Sequence, residues 1–197
     1  MEESLKQLSG TTIEIREGSI TFTREDKTYA WWRERLDRDK DGILCPEIGQ
    51  HMLNIAQSFT RKNDKGQIVS KYNMFMTNLS PNPRSSQGLK KQKYKKYLIN
   101  HLNKNKEALL KFKDKEVLVY IAVYLRPKKA ETQDIDNFSK VILDALKEFI
   151  GDDSKVNTLI MKKYKLENYP KEDLSFLEQV VILVTDPKAS STLSEVI

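Results

Sequence analysis

The 197-residue chain has one cysteine, Cys45, and two isolated histidines, His51 and His101. A single thiol rules out an internal disulfide and fits a reducing compartment. The same scarcity argues against a Cys/His zinc site, which takes about four such ligands. Long apolar runs are also missing. The longest, Val117 to Leu125, falls far short of the roughly 20 residues a membrane span needs. The start, Met1-Glu2-Glu3, is acidic with no apolar segment behind it, so no signal peptide is read. The expectation is a cytoplasmic protein with no membrane partner. Proline and glycine are few, six and seven, and Pro81, Pro83 and Gly88 fall together, marking 80–88 as a loop.

Charge is plentiful: 31% of residues are ionisable against 39% hydrophobic, enough apolar content for one core of ordinary size. The net charge of +6 conceals a segregation. Residues 1–72 balance to zero, residues 73–129 carry +11, and the remainder carries −5. A basic stretch running into an acidic one points to a polyanion partner, with metal ions reconciling the two.

Residues 12–24 alternate with period two around Glu17-Gly18 and predict a hairpin. Tyr29–Leu36 and Ile48–Phe59 read as helices, with Trp31 and Trp32 on the first. Arg61–Gly66 reads as a linker or hairpin tip, and Ser70–Leu79 as extended chain. A long helix is predicted from about Lys90 to Phe112, with an apolar stripe among lysines. Val117–Leu125 predicts a strand buried on both faces, ended by Arg126-Pro127. Lys155–Leu166 and Phe176–Thr185 predict two more strands, joined through Asn168-Tyr169-Pro170, and 187–197 a ragged tail. Asp37-Arg-Asp39-Lys-Asp41-Gly42 imitates the start of a calcium loop, but Ile48 stands where the twelfth-position acid belongs, so a turn is the reading.

The stretch Asp134 to Asp153 organises the rest. As a helix from near Asp134, it places Ile135, Phe138, Ile142, Ala145, Leu146 and Phe149 on an apolar side. Asp136, Lys140 and Asp144 fall four apart on another. Asp134 stands where an N-cap carboxylate belongs, and Gly151 is a natural stop followed by Asp152-Asp153. These residues alone read about equally as a metal-and-phosphate site or as i,i+4 ion pairs on a solvated face, each worth a few tenths of a kcal/mol.

Residues 126–153 hold a strand ending in Arg126-Pro127, then Asp134-x-Asp136-Asn137-x-x-Lys140, then Asp144-Ala145-Leu146, then Asp152-Asp153. This pattern resembles the RusA family of Holliday junction resolvases, over about residues 72–186. The resemblance implies an α+β fold, a small mixed sheet with two main helices packed on it, with residues 1–71 as an N-terminal extension and 187–197 as a tail. It also implies a homodimer that nicks four-way DNA junctions with Mg²⁺, for which Mn²⁺ substitutes. By matching positions, Asp134, Asp136 and Asp153 are the catalytic metal-binding carboxylates, with Asp152 competing for the third place, and Lys140 is the essential lysine. Asn137 and Asp144 are expected to support them, Asp144 by orienting Lys140.

Such chemistry suits these residue types. Mg²⁺ prefers hard oxygen ligands, and crowded aspartates repel one another unless a cation lies between them. A lysine one turn from Asp136 can hold a phosphate. Arg84, Lys90, Lys91, Lys93, Lys95, Lys96, Arg126, Lys128 and Lys129 are the expected DNA contacts, with Tyr94 and Tyr97 among them. Backbone contacts carry no direct sequence information, so selectivity for branched DNA is expected from the spacing of two sites in a dimer. A junction-binding protein that cuts poorly, and a nuclease of the same fold acting on flaps or duplex, are the alternatives. The expectation at this point is that the helix start and the turn after Gly151 converge on one magnesium site.

Overall fold

The computed structural model describes residues 11–16, 19–24, 45–66, 68–79, 89–166 and 178–197. In chain order the elements are β1 (Thr11–Arg16), β2 (Ser19–Arg24), α1 (Cys45–Ser58), β3 (Thr60–Lys62), β4 (Ile68–Ser70), β5 (Met74–Leu79), α2 (Leu89–Asn103) and α3 (Lys106–Leu110). Then come β6 (Val117–Leu125), α4 (Pro127–Thr132), α5 (Asp136–Ile150), a 3₁₀ turn (Asp153–Lys155), β7 (Val156–Lys165), β8 (Gln179–Thr185), a second 3₁₀ turn (Pro187–Ala189) and α6 (Ser190–Ser194).

Six strands form one mixed sheet in the order β2-β1-β5-β8-β6-β7. The expected hairpin is the β1–β2 pair, and β1 continues the sheet antiparallel to β5. β5, β8 and β6 pair antiparallel, and β6–β7 alone is parallel. A parallel pair needs a crossover, and α4 with α5 supplies it.

β6 explains the layering. All nine of its residues are buried, because its alternating side chains serve two cores. Val117, Val119, Ile121, Val123 and Leu125 pack with α2, α3, α4 and α5 on one face. Leu118, Tyr120, Ala122 and Tyr124 pack with α1 and the C-terminal segment on the other. This is an α+β fold with α2 and α5 as the main helices on one face.

Three expectations need correction. The helix foreseen from Lys90 to Phe112 is two helices. Asn103-Lys104-Asn105 breaks it, with the Lys104 and Asn105 N–H groups donating to the His101 and Leu102 carbonyls at 3.3 and 2.9 Å. Asparagine is a weak helix former, and the break lets Ala108, Leu109 and Phe112 reach the α5 core. The tail is ordered, since Ala189 and Leu193 are fully buried in the second core. Arg126-Pro127 ends β6 and at once begins α4, with Pro127 in the first turn where a missing N–H costs nothing. Arg61–Gly66 is the β3–β4 hairpin and its turn, closed by Gly66 N–H donating to the Asn63 carbonyl at 2.9 Å. The predicted Tyr29–Leu36 helix, the Asp37–Gly42 turn, the 80–88 loop with Arg84, and the Asn168–Pro170 connection lie outside the described residues.

Candidate functional site

α5 forms where the sequence placed an amphipathic helix. Phe138, Ile142, Ala145, Leu146 and Phe149 are buried, and Ile135 packs against the same core. Asp136, Asn137 and Lys140 are exposed and Asp144 is half-buried, so the charged face is turned to solvent. The helix begins at Asp136, two residues later than expected. Ile135 holds the capping position with no side-chain bond, so Asp134 is not an N-cap. Its carbonyl, however, accepts from Asn137 N–H at 3.3 Å. Asp136, on the first turn, and Asp134, just before it, thus stand exposed at the carboxyl ends of β6 and β7, where ligands of βαβ units commonly bind. The free N–H groups of that turn favour anions.

Basic groups frame this end. Lys163 Nζ donates to the Gln133 carbonyl at 3.0 Å, and Lys165 Nζ meets Glu131 Oε1 at 2.9 Å, tying β7 to the α4–α5 link. The Lys165 pair holds the Glu131 carboxyl below its usual range, though both side chains are solvated. α2 packs beside α5 and exposes Lys91, Lys93 and Lys96, with Lys95 half-buried. Tyr97 is stacked on buried Tyr94 at a centroid distance of 6.0 Å. Lys90 lies within α2, and Lys128 is exposed on α4.

Arg126 and Lys129 are committed elsewhere. Glu178, 1% exposed, accepts from Arg126 Nε at 3.2 Å, from Arg126 N–H at 3.1 Å and from Lys129 Nζ at 2.5 Å. A buried carboxylate needs this company, and the two cations serve it by locking α4 onto the start of β8. Sequence reading missed Glu178. Its only signal was a lone acid directly before an apolar strand.

The other carboxylates sit at the far end of α5. Gly151, at φ +91°, ends the helix, and Asp114 N–H donates to the Ile150 carbonyl at 3.0 Å. Asp152 turns its carboxylate back onto Ser154 N–H at 2.8 Å, which lowers its pKa and caps the 3₁₀ turn. Asp153 Oδ2 pairs with Lys147 Nζ at 2.7 Å, raising the Lys147 pKa. Lys147 was not singled out from sequence, and Asp144 acts electrostatically on it.

The expected convergence on one magnesium site therefore does not form within the chain. A 15-residue helix separates the two carboxylate groups, roughly 22 Å at 1.5 Å per residue. Among the described residues no three His, Cys, Asp or Glu side chains gather closely enough to hold a metal. The donor chemistry suits Mg²⁺; the full donor set of one chain does not fit a single ion.

On the opposite face of the sheet, His51 Nδ1 contacts the Tyr124 hydroxyl. Tyr124 stacks on Tyr164 at 4.8 Å, and the Tyr120 and Tyr164 hydroxyls are 3.3 Å apart. Burial, then the Lys162 charge, pushes the His51 pKa down, and burial raises that of Tyr120. His51 was assigned no chemistry from sequence, and this group lies across the sheet from α5. No helix among the described residues is long and apolar enough to cross a membrane.

Residues 67–172, more than half of the chain, match the family model described as Endodeoxyribonuclease RusA. No curated protein matches the chain. Among solved structures it is similar to the periplasmic domain of Helicobacter pylori MotB (residues 78–256). The identity is 12% and the TM-score 0.38, over 70% of this chain and 97% of that one. A likeness that weak carries no argument about function.

Proposed function

The chain belongs to the RusA family of endodeoxyribonucleases, and from that premise we propose that it cuts four-way DNA junctions in recombination or repair, with Mg²⁺ or Mn²⁺ as cofactor. The observation that carries this is the pairing of the family match with an exposed Asp134-x-Asp136-Asn137…Lys140 set around the start of α5. Residues 72–186 are proposed as the nuclease unit and 1–71 as an addition to it.

In this reading the chain acts as a homodimer, and Asp134 and Asp136 hold the divalent ion together with Asp153 of a second copy, because α5 keeps the chain's own Asp153 roughly 22 Å away. Asp152 is engaged by Ser154 as a turn former. A bound ion would supply an activated water and Lewis acidity at the phosphoryl group. The residues of this chain do the positioning. Lys140, one turn beyond Asp136 on the solvent face, holds a phosphate oxygen. Asn137 fixes the first turn beside Asp134. Lys91, Lys93, Lys95, Lys96, Lys128 and, from its place on α2, Lys90 track the phosphate backbone, with Arg84 joining them. Arg126 and Lys129 are given a structural role, because buried Glu178 absorbs their charge.

Labelled four-way, flap and linear DNA incubated with Mg²⁺ and with chelator test this. The expected result is junction cutting that stops with chelator. Cutting unaffected by chelator, or no cutting of branched DNA, overturns it.

A further inference from the structure

The β3–β4 hairpin forms a two-stranded sheet of its own, apart from the six-stranded sheet that carries α5. Each strand has only three residues, and a lone hairpin of that size is marginal in water. Its base is anchored. Phe59 is fully buried in the second core and meets Tyr72 edge-on at 6.0 Å, and Lys71 N–H donates to the Phe59 carbonyl at 2.7 Å. Thr60 Oγ1 donates to the Gln57 carbonyl at 2.8 Å, fastening β3 to the end of α1. The tip is set as well. Lys65 N–H donates to Asn63 Oδ1 at 3.0 Å, and Gly66, at φ +75°, closes the turn onto the Asn63 carbonyl. Glycine takes that backbone without strain. With its base fastened and its turn locked, the hairpin is a short, preorganised ribbon.

Its surface is strongly basic. From Thr60 to Lys71 there are four cations, Arg61, Lys62, Lys65 and Lys71, against one acid, Asp64. All four are exposed, and none makes an ion pair with a described residue. Like charges crowded on one hairpin repel rather than stabilise it, and such a concentration suits a polyanion. Side chains alternate along a strand, so Arg61 and Lys62 point to opposite faces of the ribbon. Lys65 stands at the tip and Lys71 at the base. One β layer with its side chains is about 10 Å thick. The major groove of B-form DNA is about 12 Å wide, and the minor groove about 6 Å. The ribbon fits the first and not the second. Inside it, the two faces look toward the phosphates of the two strands. Three of the four cations precede residues 67–172, which the family model matches, so that match does not account for this surface.

We propose that the β3–β4 hairpin docks tip-first in the major groove of duplex DNA, with Arg61, Lys62, Lys65 and Lys71 on the flanking phosphates. This gives the chain a grip on duplex DNA through an element separate from α5, and the grip needs neither metal nor cutting.

Binding of a blunt DNA duplex by the full chain, in chelator so that nothing is cut, tests it. Each phosphate neutralised adds about 0.9 to the slope of log affinity against log salt. Arg61→Gln, Lys62→Gln, Lys65→Gln and Lys71→Gln combined are expected to flatten that slope by up to about 3.6 units. Lys62→Gln with Lys65→Gln alone, both exposed near the tip, should flatten it by up to about 1.8, which keeps the test available if four changes disturb folding. Circular dichroism of the pair variant should be unchanged. A double-stranded RNA of the same sequence separates docking in the groove from plain charge attraction, because its major groove is too deep and narrow to enter. The loss is expected on DNA and not on RNA. An unchanged slope in the folded variants, or an equal loss on DNA and RNA, overturns the proposal. Neither outcome touches the nuclease reading, which the cutting assay with Mg²⁺ decides separately.

Discussion

Lys147 Nζ donates to Asp153 Oδ2 at 2.7 Å, so a carboxylate proposed to bind metal is already held by a cation of its own helix. Both groups are about half exposed, and a solvated pair of this kind adds little to stability. Its weight falls on function, since the ammonium competes with a divalent ion for the same oxygen. Lys147→Met is expected to lower the Mg²⁺ concentration giving half-maximal cutting, while leaving stability nearly unchanged. Metal titrations of cutting, with thermal melts alongside, check this. An unchanged metal requirement would separate Asp153 from the metal.

Glu178 gives the opposite balance. It is buried and accepts three bonds from Arg126 and Lys129. Replacing it with glutamine leaves the two cations without an opposing charge. Glu178→Gln is expected to cost about 1.5–3 kcal/mol, read from denaturant unfolding. A loss of DNA affinity with no loss of stability would contradict the structural role given to these residues.

Gly151 ends α5 at φ +91°, and a Cβ there would meet Asp114 Oδ1 at 2.6 Å. The aspartate side chain is exposed and can move, so the backbone term decides. Gly151→Ala is expected to destabilise by about 1–2 kcal/mol. Asp114→Ala in the same chain should recover little of it. Full recovery would place the cost in the side-chain clash instead.

His51 is held neutral by burial and by Lys162, in contact with Tyr124 and near Tyr120 and Tyr164. Its folded pKa lies below its unfolded value, so below about 6.5 the unfolded chain takes up a proton that the folded chain refuses. The stability from this difference is present above that pH and is lost as pH falls toward the folded pKa. Unfolding free energy should therefore decline on acidification from pH 7 through 6, and less so in His51→Gln. Equal slopes for the two chains would remove His51 as the cause.

Much of this fold was legible because period and burial coincide. β6 reads as buried on both faces from nine apolar residues, and α5 from apolar residues at helical spacing. The α2–α3 break was not legible. Nothing but weak helix formers marks Asn103–Asn105, and the contacts that reward the break, Leu109 and Phe112 against α5, are distant in sequence. The site was legible as residue types and illegible as geometry. Asp134, Asp136 and Lys140 stand exposed around the start of α5, as the spacing implies. Asp153 does not join them, since a continuous 15-residue helix fixes its ends apart. Arg126 and Lys129 looked free because Glu178, about 50 residues on, is visible only in the folded chain.

The central claim is that the first turn of α5 performs the cutting. It is tested most directly by Asp136→Asn, assayed in parallel for junction cleavage and for junction binding. The side chain is exposed and the change nearly isosteric, so the fold should be retained. Cleavage is expected to be abolished while the junction is still bound. Cleavage that persists, or binding that vanishes together with cleavage, would contradict it.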